Sequence, residues 1–190
     1  MKARGFSLVE ILVVLFVVVL ITGLATLGFN TGLRDRGSED FLAAVVATAE
    51  YALDEARFSG SDFGLLLARD ASRAGEGARV LHWHQRLPEG WRSPAGDAEL
   101  FAPLPVPEDV ELELILDEQI VAVHDANAAN AASGATPQWL FLNSGETAVG
   151  ELVLRRRESG ERLGRLTWDA LGRFETWRGD NDEPLSAYAP

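Results

Sequence analysis

The chain has 190 residues, a formal net charge of −12 at pH 7 and no cysteine. Such acidity argues against general nucleic-acid binding, which needs a clustered cationic surface, although it leaves room for a local basic face. Without cysteine there is neither a disulfide framework nor a thiol nucleophile.

The first elements lie at the N-terminus. Lys2 and Arg4 precede Gly5-Phe6-Ser7-Leu8-Val9 and then Glu10, and residues 11–33 carry no charge. A secretory signal peptide ends its apolar stretch at a small-residue cleavage site. No such site is evident here. Residues 11–29, rich in Ile, Leu, Val and Phe, come close to the roughly 20 apolar residues that a helix needs to cross a bilayer. Gly23 and Gly28 each weaken that helix by about 1 kcal/mol relative to alanine, so local bending or loosening is expected at 23–28. Glu10 is the exception in the apolar run. A carboxylate in a low-dielectric place needs a partner, such as an amine, or solvation by headgroups at the membrane surface. Lys2 and Arg4 before the stretch are balanced by Arg34 and Arg36 after it, so charge alone does not orient it.

A helical pattern resumes near Ser38, a candidate N-cap. Leu42, Val45, Val46, Ala49, Leu53 and Ala56 recur at three- and four-residue steps and form one apolar face. Ser59-Gly60 is the expected stop. Beyond it the pattern turns to strands. Residues 110–116 alternate, with Val110, Leu112, Leu114 and Leu116 on one face. Further strands are expected at 63–67, 80–85, 120–123, 139–142, 151–157, 164–168 and 173–177. Asn143-Ser-Gly-Glu146, Glu158-Ser-Gly-Glu161 and Leu171-Gly172 read as tight turns. Residues 103–107 read as a proline-punctuated connector, and 125–136 as an exposed flexible loop with a helical alternative. Strands following strands, with helix only at the front, indicate an α+β fold: a long N-terminal hydrophobic helix packed on an antiparallel β-sheet domain.

The order of basic leader, glycine, aromatic and buried acid resembles the class III signal of type IV prepilins and type II secretion pseudopilins. That resemblance implies cleavage between Gly5 and Phe6, N-methylation of Phe6, and pairing of Glu10 with an N-terminal amine of its own or a neighbouring subunit. It also implies a leader at 1–5, a transmembrane and assembly helix at 6–30, its amphipathic continuation at 31–60 and a periplasmic β-rich domain at 61–190. The soluble part is similar to the H-type minor pseudopilins of the type II secretion system. The similarity lies in Ala56-Arg57-Phe58, Gly60 and Phe63-Gly64-Leu65, then Pro137-Gln138-Trp139-Leu140-Phe141, the Ser144-Gly145-Glu146 turn and the closing Asp169-Ala170-Leu171-Gly172-Arg173. Asn143 departs from it, standing where proline is expected. The resemblance implies a subunit of the pseudopilus tip, lodged in the bacterial inner membrane by one span with its C-terminal domain in the periplasm. Its partners would be the I-, J- and K-type minor pseudopilins, the major pseudopilin, the inner-membrane assembly platform and the prepilin peptidase, with no nucleic acid. A minor pilin of a type IV pilus or DNA-uptake apparatus is the alternative.

Other chemistry is sparse. His82 and His84 share a strand face and are expected to be solvated; the alternative is a signal-anchored envelope enzyme or binding protein with a metal at His82 and His84, but zinc needs three or four ligands and only His124 remains, with no evident reason to be adjacent. Asp180-Asn181-Asp182-Glu183 lacks the spacing of an EF-hand loop. No catalytic residue, metal site or cofactor is expected. Trp139, Trp168 and Trp177 read as core or sheet-face aromatics. Arg155, Arg156, Arg157, Arg162 and Arg165 form a basic hairpin, read as solvated charge, a docking surface for an acidic neighbour or a DNA contact.

Overall fold

A computed structural model describes residues 8–69, 78–95, 99–124, 135–179 and 183–184, with side chains described except at 22–35 and 183–184. Residues up to Gly37 form one compact unit and those from Ser38 a second. Helix α1 (Leu8–Ser59), the single helix among the described residues, runs unbroken through Gly23 and Gly28. Ser38 is therefore not an N-cap. It lies inside the helix, buried, with no hydrogen-bond partner for its Oγ. The helix ends where Gly60 takes a φ of 70° and its N–H donates to the Ala56 carbonyl at 3.0 Å. This is a left-handed termination that glycine enters without a Cβ penalty.

Eleven described strands follow: β1 (Phe63–Arg69), β2 (Arg79–Leu87), β3 (Gly90–Arg92), β4 (Leu104–Pro105), β5 (Val110–Leu116), β6 (Gln119–Ile120), β7 (Trp139–Phe141), β8 (Gly150–Arg156), β9 (Arg162–Trp168), β10 (Phe174–Arg178) and β11 (Glu183–Pro184). The first sheet runs β3-β2-β1-β7, with β4 also on β2; the second runs β11-β10-β9-β8-β5-β6. Every pairing within them is antiparallel. The expected connector at 103–107 thus contains a short strand, and the expected strand at 120–123 shortens to β6. The expected loop at 125–136 lies mostly outside the described residues.

One apolar core joins the helix to both sheets. Leu42, Val45, Ala49, Leu53 and Ala56 meet Phe63, Leu65, Leu67, Leu81 and Trp83 of the first sheet and Leu112, Leu114, Leu152, Leu154 and Leu166 of the second. Phe41, Tyr51 and Ala52 complete the helical face. Glycines set how closely the layers approach: a Cβ on Gly172, whose φ is 69°, would strike Leu53, and one on Gly164 would come within 2.8 Å of Leu42.

Aromatic rings fill the seam between the sheets. Trp139 of β7 stacks on Trp168 of β9 at 3.8 Å between centroids and 16° between planes. The Trp139 Nε1–H donates to the Thr147 hydroxyl at 2.7 Å, and that hydroxyl donates to the Leu140 carbonyl at 2.8 Å. The Trp168 Nε1–H donates to the Ala148 carbonyl at 2.6 Å. Both rings are core, as expected. Each indole N–H finds a partner, as burial in a low dielectric demands.

A side chain completes the first sheet. β7 pairs only with Phe63 to Leu65 of β1, and beyond it the Gln138 amide accepts from the Leu67 N–H at 2.8 Å and donates to its carbonyl at 3.2 Å. The His124 backbone takes over, its N–H donating to the Leu67 carbonyl at 2.9 Å and its carbonyl accepting from Arg69 N–H at 3.1 Å. The Gln138 side chain thus stands in for a missing backbone rung. Gln138→Ala strands the buried Leu67 N–H at a cost of about 1–2 kcal/mol, a fall of roughly 3–8 °C in melting temperature; differential scanning calorimetry checks it.

The last turn carries an acid-sensitive contact. Asp169 accepts from the N–H of Arg173 at 3.0 Å, the N–H of Leu171 at 2.9 Å and the Arg173 Nε–H at 2.7 Å. Led by the Arg173 backbone N–H, these donors hold its carboxyl below the usual aspartate range. A group depressed in the folded state stabilises the fold above its unfolded pKa and loses that effect as pH falls through the folded value. Asp169→Asn keeps an acceptor without the charge. Its urea midpoint should fall less steeply than the parent's as pH falls below about 4.

Candidate functional site

Residues 8–21 of α1 are apolar all round apart from Glu10, and their large side chains are open, from Val17 at 44% to Leu8 at 81% exposure. A helix apolar on every side belongs in a core, a membrane or an assembly. Among the described residues no helix is long and apolar enough to cross a membrane, and the side chains at 22–35, where the apolar run continues, are not among those described. Glu10 sits exposed in the first turn of α1. Gly5 and Phe6 lie outside the described residues.

At the other end of α1, a set of hydrogen bonds ties the helix to the turn after β7. The Arg57 Nη2 donates to the Gly145 carbonyl at 3.1 Å, and its Nη1 bonds Asp54 at 3.1 Å. Gly145 has a φ of 88°, and a Cβ there would strike the Arg57 guanidinium. Asn143 donates its N–H to Asp62 Oδ1 at 2.9 Å and its Nδ2–H to the Gly60 carbonyl at 3.0 Å. Proline has no N–H to offer and could make neither bond. The departure at Asn143 is thus a working part of the junction.

Three of the five arginines of the basic hairpin are ion-paired within the chain. Arg155 lies 3.4 Å from Glu113, Arg156 3.2 Å from Glu161 and 4.0 Å from Asp109, and Arg165 3.8 Å from Glu151. Arg165 also lies over the Trp177 ring at 5.7 Å, while Arg157 and Arg162 donate to the carbonyls of Val110 and Gly179. Arg155, Arg156 and Arg165 thus offer less free positive charge to an acidic neighbour or to DNA than the sequence alone suggests.

The histidines do not behave as one exposed pair. His84 is fully buried and His82 half-buried. The expectation of a solvated face fails because this side of β1 and β2 is covered. Gly64 pairs with His84, Pro137 packs within 2.5 Å of where a Gly64 Cβ would be, and Leu66 and Ala68 are buried with Ala135 against them. His124 is exposed on the other edge of β1, beside Ala68. Among the described residues no three His, Asp or Glu side chains gather to hold a metal.

An N-terminal helix continuing into a face packed on antiparallel sheets defines a pilin-like α+β subunit. Solved structures share the fold. The minor pseudopilin EpsH from the type 2 secretion system of Vibrio cholerae superposes with a TM-score of 0.57 at 18% identity, covering 77% of this chain and 99% of that one. The solution structure of Escherichia coli GspH gives 0.55 at 18% identity, covering 79% and 94%. No protein-family model matches the chain. In sequence, it is 31% identical over 174 residues to type II secretion system protein H of Pseudomonas aeruginosa, across 89% of this chain and 92% of that protein. The chain therefore belongs to the H-type minor pseudopilins of the type II secretion system.

Proposed function

We propose that the chain is a subunit of the periplasmic pseudopilus tip, where it helps drive folded proteins across the outer membrane. The observation that carries this reading is the run at 8–21, open on every side and interrupted only by Glu10. So much exposed apolar surface is unfavourable in water and is relieved by lipid before assembly and by neighbouring subunits afterwards.

In this reading residues 1–5 are a leader removed after Gly5 by a prepilin peptidase, and Phe6 becomes the N-methylated first residue. Residues 6–30 anchor the chain by one span in the inner membrane, 31–60 continue the helix, and 61–190 stand in the periplasm. Glu10 then lies one turn in from the new amine, which is cationic near neutral pH. The carboxylate pairs with that amine, or with a neighbour's. Partners are the I-, J- and K-type minor pseudopilins, the major pseudopilin and the assembly platform. The chain contributes packing and binding rather than catalysis, and needs no cofactor.

Intact-mass and N-terminal peptide mass spectrometry of the membrane-extracted protein tests the processing. A first residue of N-methylated Phe6, with the apolar stretch retained, supports the reading. A mature chain starting near residue 30 refutes it.

A further inference from the structure

Along much of the outward face of the second sheet, charge is matched within the chain. Glu113 pairs with Arg155, and Arg165 lies between Glu151 and the Trp177 ring. The matching stops at the end that carries the β5–β6 turn. There, an open groove of about 820 Å3 is lined by Ile115, Val149 and Trp168 with Asp117, Glu118 and Glu151 around them. Neither Asp117 nor Glu118 has an ion-pair partner among the described residues. Glu175, which faces Thr167 in the same cross-strand row as Glu151, has none either.

The groove is also unusually apolar for a surface. Val149 is 50% exposed and Ile120 72% exposed. Ile120 lies directly opposite Ile115 in the β5–β6 pair, so the two side chains share one face and extend the apolar floor. Apolar surface combined with unmatched carboxylates selects an occupant that is both aliphatic and cationic.

We propose that this groove docks an extended basic segment of a partner protein. Its aliphatic side chains lie against Ile115, Ile120 and Val149, and its Lys or Arg side chains meet Asp117 and Glu118. The proposal adds a docking face to the assembly reading but does not rest on it, since binding of such a segment is measured without a secretion machine.

The test uses the full chain in non-ionic detergent and a fluorescein-labelled peptide of alternating Leu and Arg, read by anisotropy. A matched Leu/Glu peptide serves as control. Asp117 and Glu118 are exposed and both in the left-handed region, at φ 48° and 65°. Asparagine enters that region readily, so Asp117→Asn with Glu118→Gln removes the charges and keeps the turn. The Leu/Arg peptide should bind the parent and lose about tenfold or more in affinity to this double variant and to Ile120→Ser, with added salt weakening it further. Glu89→Gln, an exposed acid elsewhere, should bind as the parent does. Equal binding to parent and variants, equal binding of the Leu/Glu peptide, or an equal loss in Glu89→Gln would each overturn the proposal. The last result would mean that only the net charge attracts the peptide.

Discussion

Replacing Trp139 with alanine is expected to bring the β-rich unit to the edge of unfolding. The ring is completely buried and stacks on Trp168 between the two sheets, with Phe141 at 4.8 Å and Phe174 at 6.1 Å between centroids. Deleting a buried Trp ring costs about 3–5 kcal/mol through lost transfer energy and the cavity left behind. The stacked pair adds roughly 0.5–1.5 kcal/mol beyond area. The Thr147 hydroxyl also loses its indole donor, although it keeps its bond to the Leu140 carbonyl. Against a total stability of about 5–15 kcal/mol, the sum removes about a quarter or more. Urea unfolding of the full chain in detergent, followed by far-UV circular dichroism, should show the midpoint collapse. Trp139→Phe keeps a ring in the seam and should retain most of the midpoint. A midpoint within error of the parent for Trp139→Ala would show that the seam does not hold the two sheets together.

The elements that the sequence exposed most clearly are those governed by local period. Strand β5 falls at Val110–Leu116 as its alternation predicts, with Val110, Leu112 and Leu114 buried. The helical face predicted from Leu42 to Ala56 packs as expected, and Phe41, Tyr51 and Ala52 were missing from it. The turns at Gly145, Gly160 and Gly172 each hold a glycine at positive φ. What stayed hidden depends on partners far apart in sequence. Arg155 looked like solvated cationic charge because Glu113, its partner, is 42 residues away and is brought diagonally across from it only by the β5–β8 register, which sets Glu113 opposite Val153. Gln138 looked like an ordinary polar residue, since nothing nearby signals that it completes β1 71 residues away. His84 looked solvated because period alone does not reveal that another segment covers the far face of its sheet. Ser38 read as a cap for lack of any local sign that the helix behind it is continuous.

The candidate site divides along the same line. The proposed leader and Glu10 pairing rest on the order of residues along one segment, whereas the groove beside Val149 required three strands to be brought together. This difference sets what each site should do when altered. Glu10→Ala is expected to abolish incorporation into the pseudopilus while leaving the β-rich unit's melting curve unchanged, because Glu10 is exposed and its proposed partner is a terminal amine. Removing one member of a desolvated ion pair leaves the other uncompensated at a cost of about 3–5 kcal/mol. At 1.4 kcal/mol per tenfold, this lowers association by more than about a hundredfold. Glu10→Gln keeps a hydrogen-bond acceptor without the charge and should fall between alanine and parent. Co-purification with affinity-tagged minor pseudopilins, scored beside the release of folded exoproteins, measures both consequences. The amine pairing predicts that Glu10→Ala loses the two together while leader removal at Gly5 continues. A variant that assembles at the parental level would show that the carboxylate needs no amine and is solvated at the membrane surface.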